Sequence, residues 1–509
     1  MKPFLSSPLW DAGTPEFWKA WQVRRLREYL KHRVLPFSAH YHKMFEEHGI
    51  HPDDIRSFED WAKVPLSSKG DLAGNREKQR EFVLIPDQKV LKREPRTIFN
   101  AIFHGRQYAK DKLEAEFRPI LLTSTTGRSS DPVPFVYTKH DLAHLELAGK
   151  RIMEVGRSDR EYRHVNMFPY APHLAFWQAH YAGLGLGTFM LSTGGGKTLG
   201  TEGNINLIER IQPDVIIGMP TFMYHVLRQA VEEKRRWPNI KRITLGGEKT
   251  PQGLRAKLRE LCAQLGSLGV HIISTYAFTE AKMAWPECPT MPHEGASGFH
   301  LYPDLGIIEL INSKTGEVVP DGTPGEIVYT SLDARGTVVL RYRTGDIAEG
   351  GITWDMCPHC GRHCPRLIGP ISRVSEVRSL SLDKLKGTLV DFNMLEHLLD
   401  DQRGVAAWQI ELRKRNDDPL ECDEVLLHVT PDDAVSESTL REHLNRRFLE
   451  VTELKPNAIT FHPLAEMRDM LGVGRLLKEE KLADRRPKVG TASSAPSSPS
   501  PSSQQSSVK

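Results

Sequence analysis

The sequence predicts an α/β protein with a large N-terminal domain of mostly parallel β-sheets and helices, a small antiparallel β subdomain, and a small α+β C-terminal lid domain. Three observations support this prediction. Short apolar runs between residues 118 and 280 each end in a polar loop, which is typical of buried parallel strands. Residues 304–345 contain apolar runs separated by Gly, Pro and Asp turns, as antiparallel sheets do. Residues beyond 373 alternate between helical and strand patterns.

The length of 509 residues exceeds that of one usual domain. We expect the large domain to span residues 1–372 and the lid domain to span residues 373–487. Residues 488–509 are rich in Ser and Pro and hold too little apolar surface to offset the entropy lost on ordering. We therefore expect this tail to be disordered.

The composition argues against several classes of protein. Lys and Arg total 68 and Asp and Glu total 65, and so small an excess of charge disfavours a nucleic-acid partner. No apolar run approaches the roughly 18 residues that cross a bilayer, and residues 1–10 lack the apolar stretch of a secretory signal, so we expect no membrane partner. Six cysteines are too few for a disulfide framework, which predicts a reduced, cytoplasmic protein.

The first helix is predicted to begin at Pro15. The hydroxyl of Thr14 can cap it, proline suits the first helical position, and Glu16 places an acid in the first turn. Its apolar residues fall largely on one face. We expect the basic residues to form a solvated face, with a membrane or nucleic-acid contact as the alternative. These basic residues are Arg24, Arg25, Arg27 and Lys31.

Four apolar runs, at 120–122, 215–217, 243–245 and 270–274, show no alternation with polar residues. We expect them to be strands buried on both faces of a parallel sheet. Ligands of open α/β sheets bind beyond the carboxyl ends of such strands, so we expect the loops after the four runs to form one shared site. These loops are 123–127, 218–221, 246–248 and 275–280.

The remaining patterns predict the antiparallel subdomain and the lid domain. We expect antiparallel strands at 307–310, 326–329 and 338–340. In the lid domain we expect helices at 391–399 and 440–448, and strands at 408–412 and 425–429.

The loop at 123–130 combines Ser and Thr hydroxyls with Gly127 and Arg128. Hydroxyls, backbone N–H groups and an arginine together suit a polyphosphate, although a Ser/Thr-rich surface loop has the same composition. A second glycine-rich string, at 194–198, is not a P-loop, because Leu191 stands where that motif requires Gly. We expect this string to lie near the site.

Four stretches resemble, in order and spacing, the motifs of the adenylate-forming acyl-CoA ligase superfamily. They are the hydroxyl–glycine loop at 123–127, Thr275-Tyr276-Ala277-Phe278-Thr279-Glu280, Tyr342-Arg343-Thr344-Gly345-Asp346, and Arg373 at the hinge into the lid. Residues 52–55, residues 64–72 and Cys360-Gly361-Arg362 further resemble the phenylacetate–CoA ligase subfamily, which includes coenzyme F390 synthetase-like proteins. The resemblance covers residues 15–487.

The resemblance implies a nucleotide site. The triphosphate of ATP is expected on Thr123, Ser124, Thr125, Thr126 and Gly127. The adenine is expected along Gly246, Gly247 and Glu248, with Tyr276 stacked on its ring.

The resemblance also implies the roles of four polar residues. Thr279 is expected to touch the α-phosphate, and Glu280 to hold Mg²⁺, which a hard oxygen ligand suits. Asp346 is expected to accept the ribose hydroxyls, because a carboxylate can accept from both members of a diol. Arg373 is expected to help hold the nucleotide as the lid rotates.

The catalytic residues implied in this way are Thr279, Glu280 and Lys478. Residues 478–486 line up with the closing Lys-x-x-Arg-x-x-Asp-Arg pattern of the subfamily. Lys478 is therefore the candidate for bridging the substrate carboxylate and the α-phosphate, where an ammonium group would stabilise developing charge. A Lys/Glu-rich helix end explains the same residues equally well.

Three cysteines at 357, 360 and 364 have the tight spacing of a zinc knuckle. Reduced thiols without a metal are the alternative. A closed tetrahedral site needs ligands from elsewhere in the chain, and members of the resembled subfamily have a Cys before a Gly-aromatic-His stretch. We expect a structural Zn²⁺ on Cys288, His300, Cys357 and Cys360, with Cys364 and His293 in reserve.

The resemblance implies ATP-dependent activation of a carboxylic acid to an acyl-adenylate, followed by thioester formation with coenzyme A. An aromatic stretch at 170–177, where the family builds its acyl pocket, suits an aryl or medium-chain acid, although core packing explains it equally well. Two alternatives stay open: adenylation or nucleotidyl transfer to a carrier protein, an amine or another acceptor, as in the F390 synthetase-like relatives, and a non-catalytic nucleotide-binding protein of the same fold. A homodimer is also open.

Overall fold

The computed structural model describes residues 10–73, 75–125, 132–291, 294–373, 380–381, 389–390, 392–417, 423–432, 435–452, 455–473, 475 and 479–486. The predicted tail at 488–509 and the predicted site residues Thr126, Gly127, His293 and Lys478 lie outside the described residues.

The described helices fall in three groups along the chain. The N-terminal group is α1 (Pro15–Tyr29), α2 (Leu35–Phe37), α3 (Ala39–Glu47), α4 (Phe58–Trp61), α5 (Lys69–Leu72), α6 (Arg76–Glu81), α7 (Gln88–Arg93), α8 (Pro95–Phe103) and α9 (Arg106–Phe117). The central group is α10 (Lys139–Val155), α11 (Leu174–Leu186), α12 (Gly196–Ile211), α13 (Pro220–Glu232) and α14 (Gln252–Gln264). The C-terminal group is α15 (Phe392–Asp400), α16 (Glu437–Thr452) and α17 (Leu464–Met470). A π-helical turn at Leu30–Val34 and 3₁₀ turns at Pro52–Asp54, Thr279–Ala281 and Arg415–Asp417 complete the list. Among the described helices, none is long and apolar enough to span a membrane.

The described strands follow in chain order. The first part of the chain holds β1 (Pro119–Ser124), β2 (Pro134–Thr138), β3 (Arg163–Asn166), β4 (Phe189–Ser192), β5 (Val215–Gly218), β6 (Arg242–Gly246), β7 (His271–Phe278) and β8 (Met283–Pro286). The middle part holds β9 (Phe299–His300), β10 (Gly306–Ile311), β11 (Gly325–Ser331), β12 (Tyr342–Ala348), β13 (Ile352–Thr353), β14 (Arg366–Leu367) and β15 (Ile371–Arg373). The last part holds β16 (Leu380–Ser381), β17 (Leu389–Val390), β18 (Val405–Lys414), β19 (Asp423–Pro431), β20 (Ala458–Phe461) and β21 (Leu482–Asp484).

Six strands form the central sheet in the order β4-β3-β5-β6-β7-β8. The strands from β4 to β7 pair in parallel, and β8 pairs antiparallel with β7. Every residue of β5 is buried, because Ile216 packs among the residues of α12–α14 while Val215 and Ile217 pack with those of α10 and α11. The predicted runs at 215–217 and 243–245 and most of the run at 270–274 are therefore neighbouring parallel strands, and the predicted α/β fold class is confirmed.

The first predicted parallel strand, at 120–122, is wrong in its placement. These residues lie in β1, which pairs antiparallel with β2 in a separate two-stranded sheet. Ile120 and Leu122 are 54% and 46% exposed. An apolar run without alternation has the same pattern whether one or both faces of its strand are covered, so the sequence could not distinguish the two cases.

The small antiparallel sheet has the order β10-β11-β12-β15, and the predicted strands at 307–310 and 326–329 lie in β10 and β11. The strand predicted at 338–340 is wrong. Its residues are buried but form an irregular connection, in which the N–H of Val338 donates to the carbonyl of Phe82 and the N–H of Leu340 to the hydroxyl of Tyr41. The apolar pattern arises from burial under the N-terminal helices rather than from sheet pairing.

The C-terminal segment is an α+β unit with the sheet order β20-β19-β18-β21. Trp408, Ile410 and Leu412 of β18 are buried, as their alternation predicts, and pack with Leu440 and Leu444 of α16. The segment therefore has a hydrophobic cluster of its own, drawn from residues 395–459.

Helix α1 begins at Pro15 as predicted, with the N–H of Phe17 donating to the hydroxyl of Thr14. The expectation that its basic residues form a simple solvated face is partly wrong. Arg25 lies 3.1 Å from the fully buried carboxylate of Asp333, and Arg27 and Lys31 share one oxygen of Asp53. The helix thus uses these cations to bind other parts of its own chain.

A buried ion pair fastens α10 to the turn before β10. The two guanidinium nitrogens Nη1 and Nη2 of Arg151 each donate to one carboxylate oxygen of Asp304 over 2.7 Å. Both side chains are almost wholly buried, and the guanidinium lies over the rings of Trp10 and Tyr302. A charge at this depth is tolerated only because it is paired.

We expect Arg151→Ala to lower the free energy of unfolding by about 3–5 kcal/mol, because it leaves a buried carboxylate without its partner. Denaturant titration followed by tryptophan fluorescence measures the change. The matched control is Lys19→Ala, which removes an exposed ion pair to Asp321 and should cost less than about 1 kcal/mol. Equal losses in the two variants would contradict the assigned importance of burial.

Candidate functional site

Strand pairing brings two predicted loops together at the carboxyl edge of the central sheet. Gly246, at the end of β6, lies opposite Thr275 of β7. The hydroxyl of Thr275 donates to the carbonyl of Leu245 over 2.8 Å, and a Cβ on Gly246 would lie 2.5 Å from that hydroxyl. Only glycine fits this close approach, so the loop at 246–248 runs directly beside the start of the loop at 275–280.

A carboxylate joins the loop after β5 to the same edge. Gly247 has a φ of +85°, which favours glycine, and the next residue, Glu248, accepts hydrogen bonds from the N–H and the hydroxyl of Thr221 over 3.1 and 2.7 Å. Three of the four predicted loops therefore lie together. The expected place of the adenine along Gly246, Gly247 and Glu248 stays a prediction.

Asp346 lies where the two main sheets meet. Its Oδ2 accepts a 2.8 Å hydrogen bond from the hydroxyl of Tyr276, and its Oδ1 lies 2.8 Å from Nε of Arg373, its register partner on β15. The carboxylate is buried and aimed by both partners. A carboxylate can accept hydrogen bonds from several hydroxyl groups, which suits the predicted contact with a ribose.

In this structure, Tyr276 contacts Asp346 through its hydroxyl, while its ring packs against other aromatic rings. Its ring is 8% exposed and packs against Trp285, Phe278 and Phe299. Burial and the neighbouring Asp346 raise the pKa of the hydroxyl well above its ordinary value, so it stays a hydrogen-bond donor to the carboxylate. The expected stacking of Tyr276 on adenine stays a prediction, because other aromatic rings surround its ring here.

Glu280 carries a partly buried carboxylate. It follows Thr279 in the 3₁₀ turn after β7, and its Oε1 accepts a 2.8 Å hydrogen bond from the hydroxyl of Tyr342. Burial raises the pKa of its carboxyl above the ordinary value. A hard cation would offset this cost of a buried negative charge, so the donor set fits the predicted Mg²⁺.

The stem of the predicted phosphate loop reaches the same region through Tyr137. The hydroxyl of Thr123 donates to the hydroxyl of Tyr137 over 3.2 Å, and Nζ of Lys282 lies 4.8 Å from the centre of the Tyr137 ring. Lys282 is buried, pairs with Asp141 and comes two residues after Glu280. The loop after β1 is thus tied to the loop after β7 although β1 is not in the central sheet.

The described part of the phosphate loop already uses its hydroxyls and amides. Thr125 pairs with Val133 through both its N–H and its hydroxyl, which closes the base of the loop. The N–H of Ser124 donates to the carbonyl of Pro172, and its carbonyl lies 3.0 Å from Nδ1 of His173. The roles expected for Thr123, Ser124 and Thr125 in holding phosphate stay predictions, and Thr126 and Gly127 lie outside the described residues.

Sequence reasoning missed three residues that organise this site: Tyr137, Lys282 and Tyr342. Tyr342 stands in the Tyr-Arg-Thr-Gly-Asp motif, so its place beside Glu280 had a signal. Tyr137 and Lys282 had none, because a buried lysine–tyrosine contact leaves no pattern in one sequence.

The predicted acyl-pocket residues lie next to the phosphate-loop stem. Tyr170, Phe176 and Trp177 form an aromatic cluster with ring centres 4.9–6.4 Å apart. The glycine string at 194–198 is beside them, since the N–H of Tyr170 contacts the carbonyl of Gly194 over 3.4 Å. The string therefore lies near the site, as expected.

A separate cluster of thiols and an imidazole comprises Cys288, His300, Cys357 and Cys360. One ligand atom of each lies within 4.8 Å of the others. The two sulfurs of Cys288 and Cys357 are 3.8 Å apart, and Sγ of Cys360 is 3.2 Å from Nε2 of His300. Tetrahedral zinc with bonds of about 2.3 Å to sulfur requires sulfur–sulfur separations of about 3.8 Å. The donor set and its spacing fit zinc.

The surroundings of this cluster support a closed metal centre. Nδ1 of His300 lies 3.2 Å from the carbonyl of Pro286, which directs Nε2 toward the sulfurs. Hydrogen bonds from the thiols of Cys288 and Cys357 lower the pKa of Cys360. Cys364 is buried outside the cluster, so the structure does not bring this reserve residue to the metal position.

A second group, His140, His144 and Asp333, was missed by sequence reasoning. Its ligand atoms also lie within 4.8 Å of one another. The carboxylate of Asp333 is, however, already paired with Arg25 and Arg335 at 3.1 and 2.9 Å. These arginines neutralise the carboxylate, so the group is satisfied without a cation.

The fold and the site define an adenylate-forming enzyme, and comparisons with known proteins agree. The model of the family described as AMP-binding enzyme matches residues 137–333. Phenylacetate-coenzyme A ligase of Aromatoleum evansii is 28% identical over 67% of this chain and 68% of its own length. Phenylacetate-coenzyme A ligase of Pseudomonas putida is 26% identical over 72% of this chain and 71% of its own length. The chain is thus similar to phenylacetate–CoA ligases, and the comparisons support the predicted resemblance to the adenylate-forming superfamily.

Solved structures share the fold over nearly the whole chain. A 2-hydroxyisobutyryl-CoA ligase in the postadenylation state, bound to an adenylate, superposes with a TM-score of 0.70 at 19% identity, covering 94% of this chain and 91% of that one. The same ligase in the thioesterification state, bound to an adenylate and CoA, superposes with a TM-score of 0.60 over 94% of this chain and 92% of that one.

We expect Glu280→Gln to stabilise the protein without ligands, and to do so more strongly as the pH rises. A carboxyl whose pKa is raised by folding loses stability from about pH 4.5 upward through the raised value, and the amide escapes this loss. Thermal melting in steps between about pH 4.5 and 8 measures the difference. The exposed Glu442→Gln is the control, and a Glu280→Gln variant that melts below the wild type at the upper end would contradict the expectation.

Proposed function

We propose that this protein uses ATP to activate an aryl carboxylic acid and transfers the acyl group to coenzyme A. The observation that carries the proposal is that the loops after β5, β6 and β7 lie side by side at one edge of the central sheet. At the same edge, β7 and the turn after it meet β12 through the pairs Tyr276–Asp346 and Glu280–Tyr342. The match to the AMP-binding enzyme family and the similarity to phenylacetate-coenzyme A ligases support the reaction class.

The reaction has two half-reactions. In the first, a carboxylate oxygen of the acid attacks the α-phosphorus of ATP, the bond from that phosphorus to pyrophosphate breaks, and an acyl-adenylate remains. In the second, the sulfur of coenzyme A attacks the acyl carbon, AMP leaves with the bonding electron pair, and the thiol proton is released. Both steps build negative charge beside phosphate, so positioned cations and donors lower their barriers.

The described residues suit the first half-reaction. Asp346, held by Tyr276 and Arg373, would accept the ribose hydroxyls, and Thr279 would lie at the α-phosphate. Glu280, held by Tyr342, would ligate Mg²⁺, which neutralises phosphate charge when bound. We keep Lys478 as the catalytic lysine on the evidence of its sequence pattern alone.

The aryl preference is supported by the aromatic cluster of Tyr170, Phe176 and Trp177 beside Ser124. It is also supported by the similarity to two phenylacetate-coenzyme A ligases. We further propose residues 1–372 as the adenylate-forming domain and residues 373–487 as its lid. The higher TM-score with the postadenylation state supports the view that the lid lies here as it does when the adenylate has formed.

A reducing, cytoplasmic location is supported by the free state of the five described cysteines. A homodimer stays a prediction.

With purified protein, ATP, Mg²⁺ and a panel of carboxylic acids, we expect acid-dependent pyrophosphate release that is greatest for aryl acids. Added coenzyme A should yield a thioester. Lys478→Ala should abolish release by at least about 10²-fold while ATP binding persists. Pyrophosphate release that yields no thioester when coenzyme A is added would favour another acceptor, and no release with any acid would favour the non-catalytic alternative.

We also propose that Cys288, His300, Cys357 and Cys360 hold a structural Zn²⁺ that joins the end of β8 to β9 and to the loop between β13 and β14. The proposal rests on the ligand spacing and on the hydrogen bond that orients His300. Phe299, the neighbour of His300, contacts the ring of Tyr276, so the metal would steady one wall of the nucleotide site.

Metal analysis of the protein purified without chelator should give about one equivalent of zinc. Cys288→Ser should weaken zinc binding by at least about tenfold, because it removes one of four ligands. Cys364→Ser, in the loop that carries Cys357 and Cys360 but outside the cluster, is the control and should keep its zinc. A wild-type protein with less than about half an equivalent, or equal loss in both variants, would refute the site.

A further inference from the structure

Helix α13 contacts the C-terminal segment through His225. Nε2 of His225 lies 3.1 Å from Oε1 of Glu479, and Nε of Arg468 donates to its Nδ1 over 3.2 Å. Because a guanidinium is always a donor, Nδ1 must be the acceptor, and Nε2 therefore donates to Glu479. One imidazole thus binds two separate stretches of the C-terminal segment, and the His225 and Glu479 side chains are only 5% and 10% exposed.

A second contact joins the loop after β6 to helix α15. Nζ of Lys249 lies 2.7 Å from Oε2 of Glu396, and both side chains are largely buried. In the next turn, the N–H of Gly253 donates to Oδ1 of Asp401 over 3.1 Å. The two contacts use different elements on both sides of the boundary.

One contact starts from the predicted adenine loop, and the other starts from helix α13, to which that loop is hydrogen-bonded. Lys249 directly follows Glu248 in the chain, and Glu248 binds Thr221 at the start of α13, four residues before His225. The loop and the helix are therefore held to each other, and the C-terminal segment is bound to each of them. The placement of the C-terminal segment is therefore coupled to the loop that is expected to hold the adenine.

The stretch that begins at Glu479 is also fastened within the C-terminal segment. Nε2 of Gln409 donates to the carbonyl of Glu480 over 2.7 Å. Nζ of Lys481 lies 2.7 Å from Oδ1 of Asp400 and over the ring of Trp408. Residues 479–481 therefore cannot shift alone. A contact made by Glu479 therefore positions the C-terminal segment as a whole.

The boundary between these parts contains an open pocket of about 70 Å³, lined by apolar and polar side chains that include Leu399, Trp408 and Asp400. The pocket has room for ordered water. Polar contacts around such a boundary can be exchanged for contacts with water when the surfaces separate. Such polar contacts can therefore hold the C-terminal segment against the rest of the chain reversibly.

We propose that the contacts His225–Glu479 and Lys249–Glu396 form a two-point latch that holds the C-terminal segment in the arrangement for adenylate formation and opens before thioester formation. The four side chains are positioning residues, since they act through the placement of the segment. The inference rests on the proposed function, because it assigns the latch to the first of the two half-reactions.

Reversing the charges of the second contact tests the latch. Lys249→Glu and Glu396→Lys should each lower acid-dependent ATP–pyrophosphate exchange by about tenfold or more. Each should leave thioester formation from supplied acyl-adenylate and coenzyme A unchanged or faster. The double variant should restore exchange to within about threefold of the wild type, because the two charges again attract. Lys43→Glu, at an exposed pair on α3, controls for the change in charge.

The first contact is tested with a graded pair of variants. His225→Ala removes both hydrogen bonds and should reduce exchange as Lys249→Glu does. His225→Gln keeps a donor that can reach Glu479 and should retain more of the exchange than alanine does. As with Lys249→Glu, we expect His225→Ala to lower ATP–pyrophosphate exchange and to leave thioester formation from supplied acyl-adenylate unchanged.

Hydrogen–deuterium exchange of the backbone amides in α13 and α15 tests the two contacts without a measurement of enzyme activity. The rate of amide hydrogen exchange should rise in the single charge variants and return toward the wild-type rate in the double variant. Equal loss in both half-reactions, or a double variant no better than the singles by either readout, overturns the latch. If the wild type shows no acid-dependent exchange, the proposed function is what fails, and the amide exchange alone then decides whether the contacts hold the segment.

Discussion

Parallel backbone pairing of β5, β6 and β7 is the constraint on which the rest of the site depends. Because parallel strands end at one edge, the register that places Gly246 beside Thr275 also places their loops side by side. The contact is close enough that a Cβ at Gly246 would meet the hydroxyl of Thr275. A change of one residue in this register would turn the side chains of β7 to the opposite face and separate Tyr276 from Asp346.

The second sheet completes what the first one begins. β12 supplies Tyr342 and Asp346, and each reaches a residue that follows or ends β7: Tyr342 binds Glu280, and Asp346 binds Tyr276. The two sheets are thus joined by hydrogen bonds between the very groups expected to hold the nucleotide. Buried polar groups are stable in a fold only where they are hydrogen-bonded. Side chains expected to bind the nucleotide therefore also contribute to the packing of the two sheets. Binding a nucleotide would replace some of these contacts rather than create a site from nothing.

The sequence predicted much of the fold where pattern and environment agree. The runs at 215–217 and 243–245 became β5 and β6, and Thr14 capped α1 as expected. The failures have one cause. The run at 120–122 and the stretch at 338–340 are apolar, but one lies in a half-exposed two-stranded sheet and the other in an irregular buried connection. Hydrophobicity reports that a residue is covered and does not report what covers it.

The sequence by itself determined the order and spacing of the motifs that resemble the adenylate-forming superfamily, because motifs are read from residue types along one chain. The residues expected to hold phosphate, ribose or metal are implied by that resemblance. It also identified Cys288 and His300 as partners for the knuckle cysteines. Only the tertiary structure decided which groups touch: that Tyr137 and Lys282 tie the phosphate-loop stem to the site, and that His225 meets Glu479 across 254 residues. Such contacts depend on how separate elements pack, and a single sequence records each partner without recording the pair.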